Sequence, residues 1–425
     1  MKQKNILLIV VDCLRADHAY EKKAHIPIMR KWMGQGFSFH NVIASTSTTT
    51  PSFASLLTGL YPFQNGVRSH SGYSLKKGIK TFPQLLKEKG YNTYAEVTGP
   101  LFKKTGLNRG FDEYNYRNET ETVHTEWGEK LLEKFKNHYK EPWFVLLHIW
   151  PPHLIEGLFP RRIVVSKRRS RKYGKTSFAR SVSGVDLYLS KLERVLDKNT
   201  LIVLTGDHGE QISTSLSDTA SKRIREMSFR VRKKLGLTKK HFVKGIRECF
   251  VGHGYNVYDL LVKVPLIFYD KKLVKKGKSE CQLRQIDILP TVVDALSLKS
   301  DIACTGKSAL GLMKGRKEKD RDAFVEAVGI IIPNKDEWLS GIRVNNKYKY
   351  IYSPYKENYE EEFYNLEKDP DERSNIAKKN QRIIAGLKKK IKDMKTEKML
   401  GEKMTWKTSK EEEEMKKKLK KLGYF

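Results

Sequence analysis

Apolar runs of strand length recur along most of the chain. They occupy residues 5–11, 91–97, 143–149, 200–205 and 264–269. Their length and their content of aliphatic, β-branched and aromatic side chains predict β-strands. The run Asn5–Val11 is aliphatic after its first residue, which is typical of a strand buried on both faces of a parallel sheet.

The segments between these runs show helical spacing. Helices are predicted at residues 26–33, 51–57, 81–89, 120–136, 182–196 and 287–296. Strands that alternate with helices in this way predict an α/β fold, with a mostly parallel central sheet sandwiched by helices.

The pattern changes near residue 322. Residues 337–352 alternate apolar and polar positions, and residues 361–370 read as a last strand and turn. After Ala377 the chain is rich in Lys and Glu, which favours a solvated helix with ion pairs four residues apart. We therefore predict a main domain at residues 1–321, a small C-terminal antiparallel α+β subdomain at 322–377, and a charged helical tail at 378–425.

The chain is strongly basic, with 82 Lys and Arg against 49 Asp and Glu and a net charge of +33. Two segments, at about residues 155–180 and 215–248, read as basic insertions. Residues 161–180 hold nine basic side chains and no acid, and residues 222–248 hold eleven against two Glu. They are either solvated helical faces or a collar that gathers an anionic polymer or lipid head groups. Since no recognised nucleic-acid motif accompanies the charge, specific nucleic-acid recognition is not predicted.

The sequence carries no sign of export or of membrane insertion. The apolar runs are far shorter than the roughly 20 residues of a membrane span, and no signal peptide is recognisable at the N-terminus. The four cysteines lack metal-ligand spacing, which favours reduced thiols. We therefore expect a cytoplasmic protein, with association to an anionic membrane surface as an alternative. The oligomeric state cannot be read from the sequence.

Polar side chains follow two of the predicted strands. Asp12 comes directly after the first strand, and Asp207 and His208 follow the strand at 200–205. The carboxyl ends of parallel strands meet at one edge of a sheet, so these side chains should lie close together. An Asp beyond a strand is often only a helix cap, so neither Asp12 nor Asp207 with His208 is enough by itself to predict a functional site.

Residues 45–59 read STSTTTPSFASLLTG. Within them TTPSF resembles the nucleophile motif of the sulfatase family, in which Cys or Ser, any residue, Pro, Ser or Ala, and Arg precede a helix ending in Leu-Leu-Thr-Gly. Thr49 stands where the family has the Cys or Ser that is oxidised to formylglycine, and Phe53 stands where it has Arg. The resemblance covers about residues 5–377 and makes the main domain a sulfatase-like catalytic domain. The alternative for Thr49 is a Thr-rich helix cap.

Together with this motif, the two polar positions resemble the metal site of the sulfatase and alkaline-phosphatase superfamily. The resemblance implies one divalent metal ion held by Asp12, Thr49, Asp207 and His208. Calcium sulfatases have Asn at the last position, whereas the imidazole of His208 suits Mn²⁺ or Zn²⁺ better than Ca²⁺, with Mg²⁺ also compatible. Metal-dependent phosphonate monoester hydrolases and lipoteichoic-acid synthases share this Asp-His pair, and the synthases use a Thr nucleophile. No second carboxylate and His cluster is recognisable.

Further residues are assigned by the same resemblance. His253, in Gly-His-Gly, is the candidate general acid, and His153, in Pro-Pro-His, is the candidate substrate binder. His148 lies within a predicted strand and is interpreted as a core residue. Cys13 occupies the place of a frequent second Asp ligand and is interpreted as a buried spectator, with metal contact as the alternative. The family's Gly-Lys-Trp-His segment is absent, since residues 98–101 read TGPL.

These features predict a metal-dependent ester hydrolase that cleaves phosphate or phosphonate mono- or diesters, or transfers the group, through a covalent Thr49 intermediate. The substrate is expected to be an anionic ester, on a glycan or a lipid. A true sulfatase is one alternative, although a sulfated Thr49 would lack the elimination route that formylglycine provides. A second alternative is an inactive anion-binding protein for glycan or lipid.

Overall fold

The computed structural model describes residues 2–152, 171–212, 253–329, 338–395, 402–403 and 409–421. The strands of its main sheet are β1 (Asn5–Val11), β2 (Phe37–Ile43), β4 (Asn92–Val97), β5 (Glu113–Tyr116), β6 (Trp143–Ile149), β7 (Thr200–Gly206), β8 (Lys263–Tyr269) and β9 (Gly277–Arg284). A smaller antiparallel sheet consists of β10 (Ala323–Ala327), β11 (Leu339–Val344), β12 (Tyr348–Tyr352) and β13 (Glu362–Asn365). The short strands β3 (Tyr73–Ser74) and β14 (Glu402–Lys403) pair with each other.

The described helices are α1 (Ala16–Tyr20), α2 (Pro27–Gln35), α3 (Thr49–Thr58), α4 (Pro62–Asn65), α5 (Phe82–Glu88), α6 (Glu126–Asn137), α7 (Ser177–Val195), α8 (Asp259–Val262), α9 (Ile288–Ala295), α10 (Leu310–Met313), α11 (Gln381–Met394) and α12 (Ser409–Lys421). Among them, none is long and apolar enough to cross a membrane.

The main sheet has eight strands in the order β5-β4-β6-β1-β7-β8-β2-β9. Strand β1 runs parallel to β6 and β7, and only β8 is antiparallel to its neighbours. Val11 is in register with Ile149 on one side and Gly206 on the other. The residues that follow these three strands therefore emerge at the same edge of the sheet. The predicted α/β architecture is confirmed.

Apolar side chains fill both faces of the sheet. Ile6, Leu8 and Val10 of β1 join the core that includes α3, α5 and α9, whereas the alternate residues of β1 join the core that includes α2, α6 and α7. All seven residues of β1 are buried. Burial on both faces explains why its sequence is a nearly continuous aliphatic run.

The small sheet packs beside the loop that leads into α3. The Glu326 N–H donates to the Ser45 carbonyl at 3.1 Å, and Arg68 Nε donates to the Glu326 carboxylate at 2.9 Å. Helix α11 packs against this sheet through Ile384 and Leu387. The small C-terminal antiparallel subdomain is thereby confirmed. Its first strand, β10, is hydrogen-bonded to the loop that precedes Thr49.

Several element predictions need correction. Helix α6 begins at Glu126 rather than at residue 120, because Thr125 forms a turn with the Thr122 carbonyl at 2.8 Å. Strands β2, β5 and β9 were not predicted. Polar residues interrupt β2, and β9 is a partly exposed edge strand, so neither carries a continuous apolar run.

Much of both predicted basic insertions lies outside the described residues. Residues 153–170 and 213–252 belong to this part of the chain. The limits assigned to the domains and to the tail stay predictions.

Candidate metal and nucleophile site

Two carboxylates meet where the central strands end. The Asp12 N–H donates to the Ile149 carbonyl at 2.9 Å, so Asp12 continues the pairing of β1 with β6. Asp207 follows β7, and its Oδ1 accepts the Cys13 N–H at 3.0 Å. Both carboxylates are completely buried. The parallel register thus places Asp12 and Asp207 side by side, away from water.

Thr49 is the first residue of α3, directly beneath these carboxylates. Its Oγ1 lies 3.4 Å from Asp12 Oδ2 and 3.2 Å from His208 Nε2. Pro51 stands in the first turn, where its missing N–H costs no helical hydrogen bond. The free N–H groups of this turn favour negative charge near Thr49.

The ring of His208 is held in one orientation. Its Nδ1 lies 2.7 Å from the Gly209 carbonyl, which can only accept, so Nδ1 carries the proton and the Nε2 lone pair is available. The turn requires glycine at position 209, because a Cβ there would lie 2.1 Å from the Leu260 carbonyl oxygen. Close packing against α8 therefore aims His208 Nε2 at Thr49.

The electrostatics of the site call for a cation. Burial, and next the neighbouring Asp12, raise the pKa of Asp207 to about 7. Burial also lowers the pKa of His208, which keeps the ring neutral. Asp207 Oδ2 is buried and accepts no hydrogen bond from the described residues. Two carboxylates with an unused oxygen and a neutral imidazole fit a divalent metal ion.

The donor atoms are close enough to share one ion. Asp12, Asp207 and His208 each offer an atom within 4.8 Å of the others. The structure therefore brings together Asp12, Thr49, Asp207 and His208, the four residues that the sequence proposed as a metal site. That they bind a metal ion, and which one, stays a prediction.

Ser52 and Gln285 fix the backbone of this site. Ser52 Oγ donates to the Asp207 carbonyl at 2.7 Å, and Gln285 Nε2 donates to the same carbonyl at 2.9 Å. Ser52 belongs to the TTPSF motif, whereas no sequence signal marked Gln285. The motif thus holds the end of β7 as well as supplying Thr49.

The interpretation of His148 as a core residue of a strand is confirmed, but the side chain also contacts the candidate site. His148 is completely buried, yet its Nε2 lies 3.1 Å from Asp12 Oδ2. Since a carboxylate only accepts, the imidazole donates this hydrogen bond and orients Asp12. Strand β6 is buried on both faces, so its sequence held no sign of which residue faces the site.

Replacing His148 by phenylalanine is expected to weaken metal affinity about 10- to 100-fold, because Asp12 loses the donor that orients it. Competition with a chelating dye measures this affinity. His148→Gln, which can restore a donor, should recover much of it. His138→Gln, at an exposed histidine bound to Glu113, is the control. Unchanged affinity in His148→Phe would contradict this role.

Phe53 fills apolar space beneath the site. Its side chain is 1% exposed, and its ring meets the His148 ring edge-on at 4.9 Å. Phe53 belongs to the large core cluster on the α3 face of the sheet. The position where sulfatases carry Arg is thus part of the hydrophobic core in this chain.

Restoring that arginine by Phe53→Arg is expected to destabilise the fold by about 3–5 kcal/mol, since it buries an uncompensated charge. Urea unfolding monitored by circular dichroism measures the loss. Phe53→Leu, which keeps the position apolar, should cost clearly less. A Phe53→Arg variant as stable as the original chain would show that the pocket still accommodates the family's arginine.

Residues 98–101 also pack tightly where sulfatases carry Lys and His. Gly99 has φ of +69°, and a Cβ there would lie 2.5 Å from the Trp150 ring. The Pro100 carbonyl accepts the Thr50 hydroxyl at 2.8 Å. This segment therefore supports the helix that carries Thr49 and contributes no cationic side chain to the site.

A second group of polar side chains adjoins Asp12. His253 Nδ1 lies 2.9 Å from Glu210 Oε2, and the rings of His253 and His208 are 4.3 Å apart. Cys13 Sγ lies 2.8 Å from Asp12 Oδ1. The structure thus places the candidate acid His253 beside the candidate metal ligands, whereas His153 lies outside the described residues. The sequence had assigned no role to Glu210, although it follows directly in the Asp-His-Gly-Glu run.

Comparison with known protein families gives matches over most of the chain. The model of the Sulfatase family matches residues 4–298, which is more than half of the chain. The chain belongs to the sulfatase family. The model named N-sulphoglucosamine sulphohydrolase, C-terminal, matches residues 254–397. Membership makes the chain an ester hydrolase of a metal-dependent family, and it agrees with the predicted resemblance.

Curated relatives of this sulfatase-family chain are distant. It is 22% identical to the Delta 4,5-hexuronate-2-O-sulfatase of Bacteroides thetaiotaomicron, in an alignment covering 83% of this chain and 79% of the relative. It is also 22% identical to the N-acetylgalactosamine-6-O-sulfatase of the same species, with 88% and 89% covered. Both relatives are sulfatases by name.

Solved structures share the fold. A 2-O GAG sulfatase superposes with a TM-score of 0.68 at 20% identity, covering 92% of each chain. The phosphonate monoester hydrolase of Agrobacterium radiobacter superposes with a TM-score of 0.67 at 17% identity, covering 92% of this chain and 95% of the hydrolase. The same architecture therefore carries both sulfate and phosphonate ester chemistry.

Proposed function

We propose that this sulfatase-family chain hydrolyses phosphate or phosphonate mono- or diesters, or transfers the phosphoryl group, through a covalent Thr49 intermediate. One observation carries the proposal: the Thr49 hydroxyl lies 3.2 Å from the buried imidazole of His208 and 3.4 Å from the buried carboxylate of Asp12. Threonine cannot supply the formylglycine on which sulfatase chemistry depends. Asp12, Asp207 and His208 are all retained, which argues against an inactive anion-binding protein.

Asp12, Asp207 and His208 would hold the metal, and Thr49 would complete the set. When bound, a divalent ion favours the alkoxide of a coordinated hydroxyl and polarises the substrate ester. Mn²⁺ and Zn²⁺ are favoured over Ca²⁺ because one donor is an imidazole nitrogen.

In the proposed reaction, Thr49 Oγ1 forms a bond to phosphorus and the ester oxygen leaves. The Thr49 proton passes toward Asp12 Oδ2, with which the hydroxyl is hydrogen-bonded. The first-turn N–H groups of α3 stabilise the negative charge of the phosphoryl group. The oxygen of a water molecule or of an acceptor alcohol then bonds to phosphorus as the bond from Thr49 Oγ1 breaks. Its proton passes to His253, and Asp12 returns the first proton to Thr49. Water as the acceptor makes the chain a hydrolase, and an alcohol makes it a transferase.

His253 is proposed to protonate the leaving ester oxygen. Its Nδ1–H donates a hydrogen bond to Glu210 Oε2 at 2.9 Å, which fixes the ring, so that Nε2 is the atom that would transfer the proton. The ring is buried, 5% exposed, beside His208. His153 is retained as a proposed substrate binder on the strength of the sequence resemblance alone.

The class of substrate and the cellular location are also proposals. The substrate is an anionic ester on a glycan or a lipid, and the predicted basic insertions would attract such polyanions or an anionic membrane surface. A cytoplasmic location is proposed from the composition of the chain.

Matched aryl esters test the proposed function. Protein loaded with Mn²⁺ or Zn²⁺ is assayed with para-nitrophenyl phosphate, bis-para-nitrophenyl phosphate, para-nitrophenyl phenylphosphonate and para-nitrophenyl sulfate. We expect turnover of at least one phosphorus ester and none of the sulfate, with loss of activity on chelation. Turnover of the sulfate alone would establish the sulfatase alternative. Failure on all four esters and on phosphorylated glycans and lipids, with tight binding of them, would favour the anion-binding protein.

A further inference from the structure

We propose that Cys13, Glu210 and His253 form a second divalent-cation site, with zinc as the preferred ion, adjacent to the site of Asp12, Asp207 and His208. This proposal goes beyond the proposed function and rests on it only for the first metal. It also revises the expectation of a single ion. The three residues come from the ends of β1 and β7 and from the segment before α8.

Three different donor atoms converge at this place. Cys13 Sγ lies 3.4 Å from Glu210 Oε2 and 3.9 Å from His253 Nδ1, and Glu210 Oε2 lies 2.9 Å from His253 Nδ1. Ligands about 2.0–2.3 Å from a tetrahedral Zn²⁺ are separated by about 3.3–3.8 Å. The two distances from Cys13 Sγ are close to this range, whereas the 2.9 Å between Glu210 and His253 is that of a hydrogen bond. An ion that replaces the shared proton would require these two ligand atoms to move apart by about 0.4 Å.

The combination of donors selects the ion. A thiolate and an imidazole are ligands that Zn²⁺ binds well, whereas Ca²⁺ and Mg²⁺ prefer oxygen.

Cys13 has φ of +59°, in the left-handed region that a non-glycine residue seldom adopts. The Asp207 carboxylate holds this conformation by accepting the Cys13 N–H at 3.0 Å. Asp207, a candidate ligand of the first ion, thus fixes the backbone of Cys13 and with it the direction of the Cys13 sulfur, a ligand of the proposed second ion.

Asp12 connects the two sites through its two oxygens. Its Oδ2 lies near Thr49 and receives the His148 hydrogen bond, whereas its Oδ1 lies 2.8 Å from Cys13 Sγ. A carboxylate that binds one ion with each oxygen can bridge two metal ions about 3.5–4 Å apart. Asp12 would accordingly be shared.

The charge of the pocket agrees with two ions. Asp12, Asp207 and Glu210 are 0%, 0% and 5% exposed, so three carboxylates lie together away from water. One divalent ion offsets two of these negative charges. A second ion would offset the third together with the thiolate of Cys13. It would replace the proton that His253 Nδ1 shares with Glu210 in the metal-free site, so that the remaining ring proton lies on Nε2.

Cobalt substitution tests this site through spectroscopy and stoichiometry. Metal-free protein is titrated with Co²⁺, and bound metal is counted after gel filtration. We expect two equivalents and a sulfur-to-cobalt charge-transfer band in the near ultraviolet. Cys13→Ala should remove the band and lower the count to one, and Glu210→Gln should weaken the second equivalent at least tenfold. Cys304→Ser, at a cysteine away from this pocket, is the matched control and should keep both.

The outcomes separate this proposal from the proposed function. One equivalent without the band leaves the first metal site intact and overturns the second, with Glu210 serving only to orient His253. One equivalent with the band makes Cys13 a ligand of a single site and also overturns the proposal. A sulfur-to-cobalt band that persists in Cys13→Ala would also overturn the proposal, because the sulfur ligand would then be another residue. Absence of any bound metal would overturn both metal sites.

Discussion

Replacing Thr49 by alanine is expected to lower kcat toward the active phosphorus ester by about 10³- to 10⁶-fold. The variant removes the only hydroxyl that lies against both Asp12 and His208 among the described residues. Its fold should be kept, because Thr49 lies at the first position of α3 and its side chain closes no helical hydrogen bond. Steady-state kinetics with metal-loaded protein measures the effect.

Two matched variants sharpen this result. Thr49→Ser keeps a hydroxyl and should retain measurable turnover. Thr50→Ala removes the neighbouring hydroxyl, which donates to the Pro100 carbonyl, and should change kcat far less. Acid quenching during turnover should trap one phosphoryl group on the peptide that contains Thr49. Full activity of Thr49→Ala, or label on another residue, would remove Thr49 from the role of nucleophile.

Replacing Asp207 by asparagine is expected to abolish metal binding and yet to stabilise the metal-free protein. Burial and Asp12 raise the pKa of Asp207 to about 7, well above its ordinary 3.8. The folded state therefore disfavours the carboxylate, and this penalty grows from about pH 4 until it is complete above pH 7. At pH 8 its removal should increase the free energy of unfolding by on the order of 2–4 kcal/mol.

Thermal unfolding of the original chain and of Asp207→Asn at pH 5 and pH 8, with and without metal, measures both the loss of metal binding and the gain in stability. Without metal, the advantage of Asp207→Asn should be small at pH 5 and large at pH 8. With Mn²⁺ or Zn²⁺, only the original chain should gain stability, because only it binds the ion. Asp294→Asn changes an exposed carboxylate of α9 and should match the original chain throughout. A metal-free Asp207→Asn protein that unfolds more easily at pH 8 would show that the buried charge of Asp207 is not a cost to the fold.

The departures from the sulfatase motif form a consistent set. Phe53 packs in the core against His148, and residues 98–101 pack on Trp150 and Thr50. The positions that carry cationic side chains in sulfatases have thus become structural. Asp12, Asp207 and His208 meanwhile keep the geometry of a metal site. This combination favours a change of chemistry over a loss of activity.

Local sequence was enough to predict most strands of the main sheet and a helix at residues 51–57, within α3. It also predicted that Asp12, Asp207 and His208 follow parallel strands, whose carboxyl ends meet at the same edge of a sheet. The candidate roles of Asp12, Thr49, Asp207 and His208 came from the resemblance of these positions and the TTPSF motif to the sulfatase family.

The surroundings of these residues became visible only in the folded chain. Strand β6 is apolar on both faces, so nothing local shows that His148 faces α3 and Asp12. Cys13, Glu210 and His253 are separated by up to 240 residues, and their convergence depends on the left-handed turn at Cys13 and on the packing of Gly209 against α8. Such contacts are set by how distant segments pack, a property that no single stretch of sequence encodes.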